Sequence, residues 1–134
     1  TLGNAADFGD MTTVRGGTVG ANASSTRGVF GAGSVPSLST SLDIITIASQ
    51  GNGVDYADLT VARSGSASAN NSKRALYAGG DSASPASNVI DYWDINTGGA
   101  AVDFGDLSVA RLGVGGASPC HGGLNDGNQG VVNT

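Results

Sequence analysis

The chain has little of what redox or metal chemistry needs. Its 134 residues include one cysteine, Cys120, and one histidine, His121. A lone cysteine excludes an internal disulfide framework, and one His with one Cys excludes a multi-ligand zinc site within a single chain. Positive charge is scarce as well: six Lys and Arg stand against eleven acidic residues, a formal charge of −5 with a pI near 4.3. That balance argues against nucleic acid or an anionic membrane as partner, and the six cations are spread along the chain rather than gathered into a patch. No apolar run approaches the roughly 20 residues of a membrane-spanning helix. No signal-peptide pattern is expected, and the chain does not begin with Met, which fits a processed or excerpted sequence. No window keeps the 3.6-residue apolar period of an amphipathic helix.

What is present reads as β structure. Glycine is abundant, at 23 residues, and Ser, Thr, Ala, Asn and Val dominate the rest, while Glu, Lys and Leu are few. The informative feature is recurrence. Asp-aromatic-Gly/Ala-Asp-Met/Leu-Thr/Ser-x-Val/Ala-Arg appears at Asp7 to Arg15, Asp55 to Arg63 and Asp103 to Arg111, each 48 residues after the last. Arg27-Gly28-Val29-Phe30 corresponds to Arg74-Ala75-Leu76-Tyr77 and to His121-Gly122-Gly123-Leu124 at a spacing of 47, with Gly33, Gly80 and Gly127 closing the three segments. Leu42 to Ile47 against Ile90 to Ile95 restores the 48-residue spacing, so length changes fall in loops. Ser/Gly-rich, weakly charged sequence can be disordered, but a disordered tail has no need to hold aromatic and aliphatic residues in register.

The period divides the chain into residues 1–15 as the end of one unit, 16–63 as unit 1, 64–111 as unit 2, and 112–134 as the start of an incomplete unit 3. Each unit is too small to bury an apolar face alone, so neighbours must pack together. In unit 2, four short antiparallel strands are predicted at Ser64 to Ala69, Arg74 to Ala78, Asn88 to Ile95 and Asp106 to Ala110. Asn70-Asn71-Ser72, Gly80-Asp81 through Pro85, and Asn96-Thr97-Gly98-Gly99 supply the turns between them. The small residues of the first strand suit a crowded innermost position, and the motif is expected to mark the turn into that strand.

Val61-Ala62-Arg63-Ser64-Gly65, Leu76-Tyr77-Ala78-Gly79-Gly80 and Val89-Ile90-Asp91-Tyr92 resemble the kelch repeat in order and spacing. The resemblance implies an all-β fold of tandem four-stranded antiparallel units, kelch-like β-propeller blades, with a β-solenoid or other extended β-repeat array as the alternative. It departs from kelch where Phe8, Tyr56 and Phe104 stand inside the Asp-x-x-Asp segment and Trp93 sits in the third strand. The form Phe-Gly-Asp-Leu-Ser-Val-Ala-Arg is similar to repeat regions of bacteriophage structural and fibre-like proteins, which implies a virion component. Closed propellers need four to eight blades, so the expected context is an excerpt of a longer tandem array, the alternative being a strand supplied by another copy.

The recurring polar residues invite chemistry and have plainer readings. Asp7/Asp10, Asp55/Asp58 and Asp103/Asp106 resemble calcium-binding carboxylate pairs, but two carboxylates per turn fall short of the six to eight oxygens calcium takes. The preferred expectation is a structural clamp: one Asp caps a turn while the other pairs with the following Arg, giving Asp10 with Arg15, Asp58 with Arg63 and Asp106 with Arg111. Phe8, Tyr56, Phe104, Phe30 and Tyr77 are expected in the core, and one of Tyr92 and Trp93 is expected to pack while its neighbour faces outward. His121 stands where Arg27 and Arg74 stand, which favours a hydrogen-bonding substitute over a Cys-His nucleophile. Asn22-Ala23-Ser24 and Asn70-Asn71-Ser72 match the N-glycosylation pattern, with turn residues as the plainer reading.

These readings point to a non-enzymatic structural or adhesive module. Its expected setting is a virion or an extracellular assembly, with no cofactor and no catalytic residue. The expected partners are further repeats, other copies of itself or surface glycans, met through the loops Gly33 to Ser41, Asp81 to Ser87 and Asn125 to Asn133. The alternatives are a glycan-cleaving propeller enzyme of tailspike type and an intracellular kelch-type adaptor.

Overall fold

A computed structural model describes residues 3–17, 19–34, 36–83 and 85–118 of the chain. Cys120, His121, Gly122, Gly123, Leu124, Gly127 and the loop expected at 125–133 lie outside the described residues. Those described form eight β-strands and no helix. Strands β1 (Val19–Ala23), β2 (Arg27–Gly31), β3 (Ser41–Thr46) and β4 (Val54–Asp58) make one antiparallel sheet in sequential order. Strands β5 (Ala67–Asn70), β6 (Arg74–Ala78), β7 (Val89–Asp94) and β8 (Val102–Asp106) make a second sheet with the same order.

Each sheet is a meander in which three-residue polar turns join β1 to β2 and β5 to β6, and longer loops join the other successive strands. In the β1–β2 turn, Ser24 Oγ accepts from the N–H groups of Thr26 and Arg27. Between β5 and β6, Asn71 Oδ1 does the same for Lys73 and Arg74, and after β7 Asp94 Oδ1 accepts from Asn96 and Thr97. Those two backbone bonds at Asp94 hold its carboxyl below the usual carboxylate range.

The sheets meet along β1 and β5. The small residues of these strands matter here: a Cβ at Gly20 would press on the Ser68 side chain, which would have to turn aside to admit it. Tyr77 donates its hydroxyl to Gly20 O at 2.6 Å and Asn70 Nδ2 donates to Ala23 O at 2.6 Å, stitching β5 and β6 to β1. The apolar core runs through both sheets, with Val29, Ala32, Leu42, Ala57 and Leu59 from the first and Ala75, Tyr77, Trp93, Ile95 and Ala101 from the second. Tyr77 and Trp93 pack edge to face at 4.9 Å.

The expected first and fourth strands are displaced. The first strand of the second sheet runs from Ala67 rather than Ser64, and the fourth lies at Val102–Asp106, not Asp106 to Ala110. At Asp55–Asp58 and Asp103–Asp106 the Asp-aromatic-x-Asp segment is therefore part of the fourth strand itself and not the turn into the innermost strand, while Asp7 to Asp10 lies outside any strand. A register shift explains why period-2 reasoning misplaced it. Leu42 pairs with Ala57 but Asp43 pairs with Asp55, leaving Tyr56 as the extra residue of a bulge, and Ile90/Gly105 with Asp91/Asp103 leaves Phe104 in the same position. The pairing continues one residue past each fourth strand, with Leu59 N donating to Thr40 O and Leu107 N to Asn88 O.

Candidate interaction site between the sheets

Arg63 joins the two sheets. Its backbone belongs to the first: Gly33 N donates to Arg63 O at 2.9 Å and Arg63 N donates to Ser39 O at 3.4 Å. Its side chain belongs to the second, where Nη1 donates to Val89 O at 2.7 Å and to Gly79 O at 3.3 Å, and Nη2 meets Asp91 Oδ2 at 2.5 Å. Both partners of the ion pair are fully buried. Burial pulls the Arg63 guanidinium below its ordinary value, and the charge and hydrogen bond of Asp91 oppose that. Asp91 is further held by Thr60, whose N–H and hydroxyl reach its two oxygens at 3.1 and 2.6 Å.

Arg15 occupies the corresponding place in the first sheet. Its Nη1 donates to Ser41 O at 2.8 Å and Ala32 O at 3.3 Å, Nη2 donates to Ser41 Oγ at 2.6 Å, and Asp43 lies at 3.5 Å. Thr12 holds both oxygens of Asp43 at 2.7 Å. Among the described residues Arg111 shows the backbone half of the arrangement, accepting from Gly80 N at 2.7 Å and donating to Ser87 O at 3.2 Å, and its side chain is exposed.

The arginines are thus paired with different carboxylates from those expected. Asp10, Asp58 and Asp106 are exposed, and Asp58 Oδ1 accepts from Thr40 Oγ1 instead. The partners are Asp43 and Asp91, in the third strand of each sheet. A buried guanidinium needs a carboxylate that is also out of water, and an edge-strand Asp in solvent cannot supply one. Sequence reasoning overlooked Asp43, Asp91, Thr12 and Thr60. The signal was there, since Leu42-Asp43-Ile44 and Ile90-Asp91-Tyr92 each set one acid inside an apolar strand, 48 residues apart.

The outer end of the joint is made by Tyr56 and Arg27. Tyr56 donates to Ile95 O at 2.7 Å and Asp94 O at 3.0 Å, Arg27 Nη1 donates to Asn96 O at 2.5 Å, and Ala101 N donates to Asp58 O at 2.8 Å. Burial pushes the Tyr56 hydroxyl up, partly offset by the neighbouring Arg27 charge. Phe104 does not pack as expected: it is 58% exposed, with Tyr92 edge-on at 5.9 Å. Of the adjacent pair Tyr92 and Trp93, Trp93 is buried and Tyr92 half-buried beneath the Arg74 guanidinium at 4.9 Å.

The two Asn-x-Ser positions are not presented as glycan acceptors. Asn22 is 1% exposed, and the nitrogen of Asn70 is engaged with Ala23 O. Both face the joint, because β1 and β5 pack on each other there. The Asp pairs do not converge either: Asp7 Oδ1 and Asp103 Oδ1 accept from Gly9 N and Gly105 N, two residues on. Among the described residues, no three His, Cys, Asp or Glu side chains gather as a metal site would require. On the loop side, Ser34, Pro36, Leu38, Val61, Asp81 and Ala83 line an open groove of about 630 Å³ between the two interstrand loops.

No family model matches the chain, and no curated protein matches it. The functional reading therefore rests on the residues and their geometry.

Proposed function

We propose that the chain is a non-enzymatic structural and adhesive module whose four-stranded sheets are successive units, arranged as kelch-like propeller blades, in a virion fibre, appendage or other extracellular assembly. The observation that carries this reading is Arg63, whose backbone is bonded to one sheet while its side chain is buried in the next. Arg15 and Arg111 hold corresponding parts of the same arrangement, so the recurring polar residues act as joints between units. The groove between the loops at 34–38 and 81–83 supplies the adhesive surface, with Ser34, Ser37, Ser82 and Asp81 as hydrogen-bonding groups for a protein or a surface glycan.

Glycan-array binding combined with a turnover assay tests it. Retention of glycans without release of shorter products supports an adhesive module; accumulation of released oligosaccharide overturns the non-enzymatic reading. Electron micrographs of the chain concentrated above the roughly millimolar range test the architecture, since a ring or filament with a repeating subunit is expected there and irregular particles would count against it.

A further inference from the structure

The segment Asp7-Phe8-Gly9-Asp10 and the segment Asp103-Phe104-Gly105-Asp106 are identical in sequence, and they share a glycine conformation and an aspartate-to-glycine hydrogen bond. Gly9 has φ +150 and Gly105 φ +143, and each glycine N–H donates to the aspartate two residues before it, at 3.1 and 2.9 Å. Their surroundings differ. Asp7 to Asp10 lies docked on the β3–β4 turn of the first sheet: Gly51 N donates to Phe8 O at 3.0 Å, Gly53 N to Asp10 O at 2.7 Å, Gln50 Nε2 to Asp7 O at 3.1 Å, and Asp10 N to Asn52 Oδ1 at 3.0 Å. Phe104 stands 58% exposed and Val102 52% exposed on the matching segment of β8.

We infer that β8 is a docking strand for a second copy of this chain, whose Gln50–Gly53 turn it grips in place of that copy's own residues 7–10. This rests on reading the two sheets as successive units. The occupant follows from the chain itself, because the turn that binds Asp-Phe-Gly-Asp is carried by every copy and the second Asp-Phe-Gly-Asp is already folded into the bound shape. Little ordering cost remains for β8 to dock. An open pocket of about 260 Å³, lined by Phe8, Met11, Phe30 and Ile45, lies beside the docked segment. The contact is head to tail, so repetition yields a ring or a filament and not an isologous dimer. Residues 7–10 act as an internal competitor that keeps the seat closed at low concentration.

Phe8→Asp in the full chain opens the seat. Sedimentation at concentrations on the order of 100 µM, below the roughly millimolar effective concentration of a tethered competitor, should show at least a doubling of mass over the wild-type monomer. Adding Phe104→Asp should return the mass to that of one chain. Trp93 fluorescence monitors folding throughout, and if Phe8→Asp loses the native emission, Phe8→Ser takes its place and is read in the same way. A folded, monomeric Phe8 variant overturns the inference, as does assembly that survives Phe104→Asp. Neither result touches the unit reading, which stands or falls on the stability of the Arg63 joint.

Discussion

Arg63 and Asp91 form an ion pair closed off from solvent, yet the two residues enter it from different sheets. The Arg63 backbone is fixed to Gly33 and Ser39 of the first sheet, and Asp91 sits in the third strand of the second. The pair therefore fastens the sheets to each other as well as stabilising the local fold. Its arrangement is asymmetric: Asp91 retains two bonds from Thr60 if the arginine is lost, whereas Arg63 would keep only carbonyls if the aspartate were lost.

Arg63→Ala is expected to destabilise the chain by about 3–5 kcal/mol, the usual cost of stripping one partner from a buried pair. Urea unfolding followed by Trp93 fluorescence measures it. Arg111→Ala, at an exposed side chain, should stay within about 0.5 kcal/mol of the wild type. Equal losses for the two substitutions would show that burial at the joint is not what holds the arginine.

Thr60→Val keeps the shape of the side chain but removes the hydroxyl bond to Asp91 at 2.6 Å. A hydrogen bond to a charged group is worth about 1.5–3 kcal/mol, so stability should fall by that amount. In a double-mutant cycle with Arg63→Ala the two losses should be non-additive, since both side chains serve one carboxylate. Additive losses would mean that Thr60 and Arg63 act independently.

The all-β class and the near-uniform strand spacing were legible because alternation, small residues and turn chemistry are local signals. Arg74 to Ala78 was placed to the residue for that reason. The fourth strand was not, because a bulge at Tyr56 and Phe104 breaks the two-residue period that strand reading relies on. The arginines could be singled out from recurrence alone, but their partners lie 28 residues away, as with Arg63 and Asp91, across a contact that no local pattern specifies. Asn22 shows the same limit: its motif is visible in sequence, while its burial depends on β5 packing over β1.

Tyr56 rests on the Gly98 turn of the second sheet, where a Cβ on Gly98 would stand 2.8 Å from the ring and the backbone has φ +71. Gly98→Ala combines that clash with a left-handed conformation costing an L-residue roughly 1–2 kcal/mol. A loss of at least that size is expected in thermal or urea unfolding. Gly99→Ala carries a backbone penalty without a contact, since its φ of +102 lies farther from the left-handed minimum and nothing lies within 4 Å of the added methyl. A loss at Gly98 as large as or larger than that at Gly99 therefore requires the contact with Tyr56.

Alkaline pH should loosen the joint through tyrosine. Burial raises the hydroxyl pKa of both Tyr56 and Tyr77 above the ordinary value of 10.0, so the neutral form is favoured in the folded chain. A group whose folded pKa is raised contributes stability that is fully present below its unfolded pKa and is lost as pH rises through the folded one. Stability should therefore be flat up to about pH 9 and decline from about pH 10 upward, near the unfolded tyrosine pKa. Deprotonation of Tyr56 also removes the donor that reaches Asp94 O and Ile95 O across the sheets. Tyr56→Phe removes one hydroxyl proton shared between the two carbonyls and is expected to lower stability at pH 7 by about 0.5–1.5 kcal/mol and to flatten the alkaline slope. The remaining slope should disappear on adding Tyr77→Phe, because that hydroxyl is the other raised group at the joint. Urea titrations at intervals from pH 7 to pH 11 measure both effects. A decline unchanged in the double variant would place its origin away from these two hydroxyls.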